Sequence, residues 1–170
     1  MPEQVVINSV EFARNGASLN GRIAVEKLSR LQDLLSSNDG MLEYSLTGKQ
    51  GDNGRLYLVC VVKGVLHIRC QRCLDALDYP VSLESELELA EGEPSLTVLV
   101  NEEDLADAIP ADTELDVLAL VEDEVLLDLP IAPMHASDDC KAIRNLGQSK
   151  LGEQNAFSAL AALKSQGLRK

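Results

Sequence analysis

The sequence predicts an α+β fold, an antiparallel β-sheet meander flanked by helices, and three observations carry that expectation. Between Met41 and Cys70 the runs MLEYSLTG, RLYLVCVV and VLHIRC are separated by GDNG and KG, where tight hairpin turns want residues that tolerate positive φ. In PVSLESELELA, Leu83, Leu87 and Leu89 alternate with Glu84, Glu86 and Glu88, the period of a strand with one core face and one solvent face. ELDVLALVEDEVLLDLP instead spaces its apolar residues at helical intervals.

Taken in order, Val5 to Phe12 is short and apolar and reads as a strand. Gly21 to Ser36 sets Ile23, Leu28, Leu31, Leu34 and Leu35 near helical spacing, so an amphipathic helix is expected there, stopped by Ser36 to Gly40. The meander follows, with turns at Asn53-Gly54 and Lys63-Gly64 and CQRC at the end of its third strand. Tyr79 to Ala90 continues as a strand, which places CQRC at a strand-to-strand corner. Ser95 to Val100 is a further strand candidate, and Asn101 can cap a brief helix whose first turn, EED, complements the helix dipole.

Thr113, with Asp116 three positions on, offers a start for the main helix. Val117, Leu118, Val121, Val125 and Leu129 lie roughly on one face of it, until Pro130 ends it. IAPMHASDDC is extended or looped, KAIRNLGQSKLGEQ reads as a polar linker, and Asn155 can cap a last helix, AFSALAALKSQ, striped with Phe157, Leu160 and Leu163. The expected organisation is one α+β domain over residues 1–140, then a flexible linker and C-terminal helix over 141–170.

Composition bounds the chemistry. A chain of 170 residues with 45% hydrophobic and 25% charged residues is that of a globular protein, and its three tyrosines, two phenylalanines and absence of tryptophan imply an aliphatic core. MPEQVVINSVEF lacks the basic start and apolar run of a secretory signal, and no stretch approaches the roughly 20 apolar residues that span a bilayer. A cytoplasmic protein is expected. In that setting its four cysteines point to metal, catalysis or plain burial rather than to disulfides.

The formal net charge of −13 argues against a protein that coats nucleic acid by neutralising phosphates. Its distribution is sorted: Asp75 to Cys140 holds 20 Asp and Glu and no Lys or Arg, whereas Tyr44 to Leu74 carries Lys49, Arg55, Lys63, Arg69 and Arg72 against Asp52 alone. A third stretch, Lys141 to Lys170, has six basic residues against Glu153.

CQRC admits three readings. Two thiolates three positions apart at a corner between strands can grip one metal ion, but structural zinc wants four ligands. The other His/Cys pair is His135 and Cys140, so that Cys70, Cys73, His135 and Cys140 would make a Cys3His zinc set joining the meander to the loop after the helix, with Arg69 and Arg72 offsetting the thiolate charge. A redox pair would instead need CxxC at a helix amino terminus, where the dipole lowers a thiol pKa; hairpin signals surround this one. The plain reading is two reduced, partly buried thiols. Cys60, mid-strand, reads as a small core residue, and His67 as a surface or hydrogen-bonded side chain.

Hydrolytic and nucleotide motifs are missing: there is no GxSxG, and GKQGDNGR lacks the end of a P-loop. Glu84, Glu86 and Glu88 would stand about 6 to 7 Å apart along a strand, as a solvated face or as a docking surface for something basic. Glu122, Asp123 and Glu124 on the helix belong with them, since successive helix positions fan around the axis and do not converge on one ion. Lys49, Arg55, Lys63, Arg69 and Arg72 are the candidates for phosphate contacts.

CQRC with Leu74 to Val81, then ELDVLALVEDEVLLDLPIAPMH with Cys140 five positions later, then NAFSALAALK, resemble in order the YceD family, the large ribosomal RNA subunit accumulation proteins of bacteria and plastids. The resemblance implies a non-enzymatic factor in the synthesis, processing or stability of large-subunit (23S) ribosomal RNA. In some relatives the loop after the acidic helix carries further cysteine pairs, which implies a metal site with CQRC; here His135 and Cys140 occupy that loop, and the longer cluster is lacking. The chain also has Ala156 where the family tends to have proline, a favourable but dispensable first helical residue.

Two routes to the RNA are compatible with the charge map. The basic meander can touch phosphates, weakly and salt-sensitively, or the acidic block can hold a basic ribosomal protein or assembly factor. The charge map favours the second, because twenty carboxylates repel phosphates unless they face away. From other classes, a thiol oxidoreductase built on CQRC and an acidic protein-binding adaptor without RNA contact stay open.

Overall fold

Strict alternation over two long runs builds the centre of the molecule. In β4 (Met41–Gln50) and β6 (Ala76–Ala90), every second residue turns inward, and the strand between them, β5 (Leu56–Arg69), does the same along its whole length. The computed structural model describes residues 5–52, 54–90, 107–136 and 139–141. The strand expected at Ser95 to Val100, the brief helix after Asn101, and the linker and helix expected after Lys141 lie outside them. The chain divides into two compact units, Met1–Met134 and His135–Lys170.

The first unit is an α+β fold. Its six-stranded sheet runs in the order β2 (Ser18–Ala24), β4, β5, β6, β7 (Asp107–Pro110), with β3 (Leu35–Ser37) pairing the far end of β5. All pairs are antiparallel except β6 with β7. β1 (Val6–Ile7) and β8 (Leu115–Asp116) form a separate short ladder. The inward residues of the long strands, among them Leu42, Leu46, Leu58, Cys60, Val62, Leu66 and Leu87, join Val117, Val121 and Val125 of helix α2 (Val117–Asp128) in one aliphatic core. Among the described residues no helix is long and apolar enough to cross a membrane.

Four local expectations are corrected. The strand expected over Val5 to Phe12 is only β1; from Ser9 the chain is helix α1 (Ser9–Arg14), because the Asn8 side chain accepts from Glu11 N at 3.0 Å and caps it. The helix expected over Gly21 to Ser36 is instead β2, a single 3₁₀ turn at Val25–Lys27, and β3. Leu28, Leu31 and Leu35 do enter the core, delivered by turns and by β3 rather than by a helix, whereas Leu34 is 43% exposed. Spacing alone could not distinguish the two.

The third correction concerns Lys63-Gly64, which is not a turn. β5 runs straight through it, with Gly64 opposite Leu42. A Cβ there would stand 2.5 Å from Leu42 Cδ2 and 2.9 Å from Met41 O, so the glycine serves close strand approach. Finally, α2 is capped by Asp116, whose carboxylate accepts from Leu118 N and Ala119 N, and not by Thr113. The hairpin between β4 and β5 is present, with Gly51 N donating to Arg55 O at 2.9 Å and Gly54 at a φ of 78°, while Asn53 lies outside the described residues.

In the second unit the described residues are His135, Ala136 and Asp139 to Lys141. Asp139 N donates to Ala136 O at 3.1 Å, and Cys140 is buried.

Candidate metal centre

The corner that joins β5 to β6 is built by backbone hydrogen bonds around Cys70. Cys70 N donates to Asp75 O at 2.9 Å, and Leu74 N donates back to Cys70 O at 2.9 Å, closing a loop over CQRC. To complete it Leu74 takes a φ of 64°, which a residue with a Cβ seldom adopts. Leu74 is 67% exposed, so its side chain gains little there by burial. The bonds that hold this φ set Cys70 and Cys73 together at one end of the sheet.

The segment after α2 is held against this corner. Gln71 N donates to Pro133 O at 2.8 Å, and Arg72 Nη2 lies 3.4 Å from Met134 Sδ. His135 is the next residue along that segment. At this corner the Cys70 and Cys73 sulfurs lie within 4.8 Å of each other, with Cys70 buried and Cys73 partly so, while His135 and Cys140 belong to the second unit. Three sulfurs and an imidazole are a donor set suited to a closed, tetrahedral zinc site. CQRC is a turn between antiparallel strands and does not open a helix, so the dipole that activates a redox CxxC is not supplied at this corner.

Cys60 behaves differently. It sits on the inward face of β5 with no exposed surface, and burial, with the Glu124 carboxylate adding to it, pushes its thiol up from 9.0 to about 12. It stays protonated and inert. His67 is a hydrogen-bonded surface residue as expected, its Nδ1 2.6 Å from Asp78 Oδ1.

The charged candidates are brought together rather than kept apart. Lys49 on β4 pairs with Glu86 at 3.0 Å and lies 6.0 Å from the centre of the Tyr57 ring, while Arg55 pairs with Glu88 at 3.1 Å. Glu86 holds the Lys49 ammonium charged, raising its pKa. Lys63 stands on β5 opposite Glu43 and Ser82. Arg69 Nη2 reaches Leu35 O at 3.4 Å. The antiparallel register interleaves cations of the meander with carboxylates of β6 on one face.

Glu84 shares that face and is exposed. Glu122, in contrast, is only 6% exposed and accepts from Arg30 N at 2.7 Å, while Asp123 pairs with the Arg30 guanidinium. Glu122 thus anchors the loop between β2 and β3, a role that sequence reading missed. The signal was present: positions 118, 122, 125 and 129 form one helical stripe, and an acid inside an apolar stripe is buried with a partner.

A family model described as "Large ribosomal RNA subunit accumulation protein YceD" matches residues 58–164. A curated protein of Haemophilus influenzae with that same description is 30% identical over 125 residues, covering 62% of this chain and 66% of the relative. The chain therefore spans slightly less than two thirds of that relative's length. No solved structure matches.

Proposed function

Because the chain belongs to the YceD family, we propose that it supports the accumulation of large-subunit ribosomal RNA as a cytoplasmic, non-enzymatic factor. The observation that carries this reading is the match over residues 58–164, which takes in β5 from Leu58 on, the CQRC corner, β6 and α2. Depleting the protein in its host and measuring the ratio of large- to small-subunit ribosomal RNA tests it. The ratio is expected to fall and to be restored by the intact gene; an unchanged ratio overturns the reading.

The corner is a structural zinc site in this proposal, with Cys70, Cys73 and Cys140 as thiolates and His135 as the fourth ligand. The chemistry of the donor set, and the pairing of the Cys70 and Cys73 sulfurs at the corner, support it. When bound, zinc supplies a crosslink and no reaction step. The residues themselves orient the ligands: the Cys70 and Leu74 backbone bonds shape the corner, and Gln71 and Arg72 retain the segment leading to His135. Metal analysis of protein purified without chelator is expected to find about one zinc per chain.

Access to the RNA runs through a basic ribosomal protein or assembly factor. A phosphate approaching Lys49 or Arg55 would have to displace Glu86 or Glu88, which supports this route over direct coating. Lys63, Arg69 and Arg72 are the remaining candidates for direct contact, and Glu84, Glu86 and Glu88 with Asp123 those for a basic partner. Pull-down after nuclease treatment is expected to retain the partner, and filter binding across a salt series to show no strong RNA retention. Steeply salt-dependent retention near neutral pH would reverse the order of the two routes.

A further inference from the structure

Helix α2 breaks two rules that a surface helix ordinarily obeys. Such a helix has one apolar stripe and a polar remainder, yet α2 buries Val117, Leu120, Val121 and Val125 and still presents Leu127 at 80% exposure, with Ile131 fully exposed just past its end. A helix's last turn, where the carbonyl dipoles leave partial negative charge, favours Lys, Arg or His. In α2 the last turn has no basic residue and ends on Asp128, with Glu124 one turn earlier. Tyr79 Oη, 3.3 Å from both the carbonyl and the carboxylate of Asp128, brings a hydroxyl but no charge.

Glu124, Leu127 and Asp128 share one helical face by their spacing of three and four, and Ile131 follows directly. Among the described residues no ion pair engages Glu124 or Asp128, whereas the carboxylates of β6 have Lys49 and Arg55 across the strands. The cation is missing here from the sequence as well, since Asp75 to Cys140 contains no Lys or Arg. Exposed aliphatics invite aggregation, and like charge at a negative helix end costs stability. Local features that weaken the isolated chain mark a surface kept for something else.

We propose that the carboxyl-terminal end of α2 docks a basic amphipathic segment of a partner protein. Aliphatic side chains of that segment cover Leu127 and Ile131, and its Lys or Arg side chains reach Asp128, Glu124 and the last-turn carbonyls. The partner's chemistry follows from complementarity: an apolar patch rimmed by acid at a negative helix end fits a basic, apolar-faced peptide and repels nucleic acid. The surface is separate from the β6 carboxylates and does not rest on the ribosomal reading.

The test is fluorescence anisotropy on the full chain, with a labelled helical peptide bearing leucine on one face and lysine on the other. The lysine peptide is expected to bind and its glutamate counterpart not to. Leu127→Ser with Ile131→Ser should weaken binding about tenfold, and Asp128→Asn about threefold with a shallower salt dependence, whereas Asp52→Asn in the remote hairpin should change little. Both apolar positions are exposed, so the double variant is expected to keep its Tm. Undiminished binding by the double variant, or equal loss from Asp52→Asn, overturns the proposal. So does either rival occupant: a wild-type dimer that the double variant dissociates indicates a second copy, and a lowered Tm with faster proteolysis within residues 142–170 indicates the chain's own tail.

Discussion

Cys60 and Cys70 lie ten positions apart along the same stretch of chain, and neither has exposed surface. The middle of β5 encloses Cys60 among inward-facing aliphatics and keeps its proton on. The corner that ends β5 sets Cys70 beside Cys73 and leaves Cys73 partly open. The difference teaches that burial by itself does not decide what a thiol does. Cys60 is surrounded by core side chains, whereas Cys70 sits where the backbone bends into a corner and its neighbour Cys73 stays partly open.

The largest effect expected to separate the two regions is on metal. Cys73→Ser should reduce bound zinc from about one per chain to near none and remove the chelator-sensitive part of the Tm, while Cys60→Ser leaves the metal in place. Equal metal content in both variants, read by atomic absorption, would erase the distinction. Next, Leu58→Ala in the sheet core should cost about 3 kcal/mol in urea unfolding, by the same amount with and without chelator. A chelator-dependent cost would mean that corner and core are one cooperative element.

Alkaline pH sharpens the contrast from the Cys60 side. A thiol is neutral when protonated, so a raised value means that the folded chain keeps a proton which the unfolded chain releases above about pH 9. Stability from this group is fully present below pH 9 and falls by about 1.4 kcal/mol per unit as pH rises toward 12. Urea midpoints from pH 8 to 10.5 should decline more steeply for the wild type than for Cys60→Ala.

At the corner, Leu74→Gly should stabilise by about 1 kcal/mol, because glycine meets a φ of 64° without the Cβ penalty. A loss instead would show that the exposed leucine has packing work to do. The smallest effect is Lys49→Ala, a small destabilisation in urea unfolding that is screened away by salt, as for other exposed ion pairs.

Much of this molecule was legible in the residues. The hairpin between β4 and β5, the two-faced strand over Leu83 to Leu89 and the α2 stripe all follow from period and turn chemistry, and the proposed zinc set from ligand type. Two misreadings have a common origin. The Gly21 to Ser36 apolar residues have helical spacing, but Ile23 enters the core from β2, Leu28 and Leu31 from turns and Leu35 from β3, and Lys63-Gly64 resembles a turn although it is a point of close strand contact. In both cases the residue's neighbour across the sheet decides, and that neighbour is far away in the chain.

Sequence alone determined which groups were available: an aliphatic core, four thiols, two imidazoles, and acids and bases sorted by region. Tertiary structure decided how they are paired. Antiparallel register laid Lys49 and Arg55 beside Glu86 and Glu88, so charges separated along the chain are neighbours on the surface. Packing took Glu122 inside to hold Arg30 N and left Leu127 outside, although both belong to one helix. The reason is physical: side-chain chemistry is local, whereas burial and pairing are set by which distant segment the backbone ladder brings alongside.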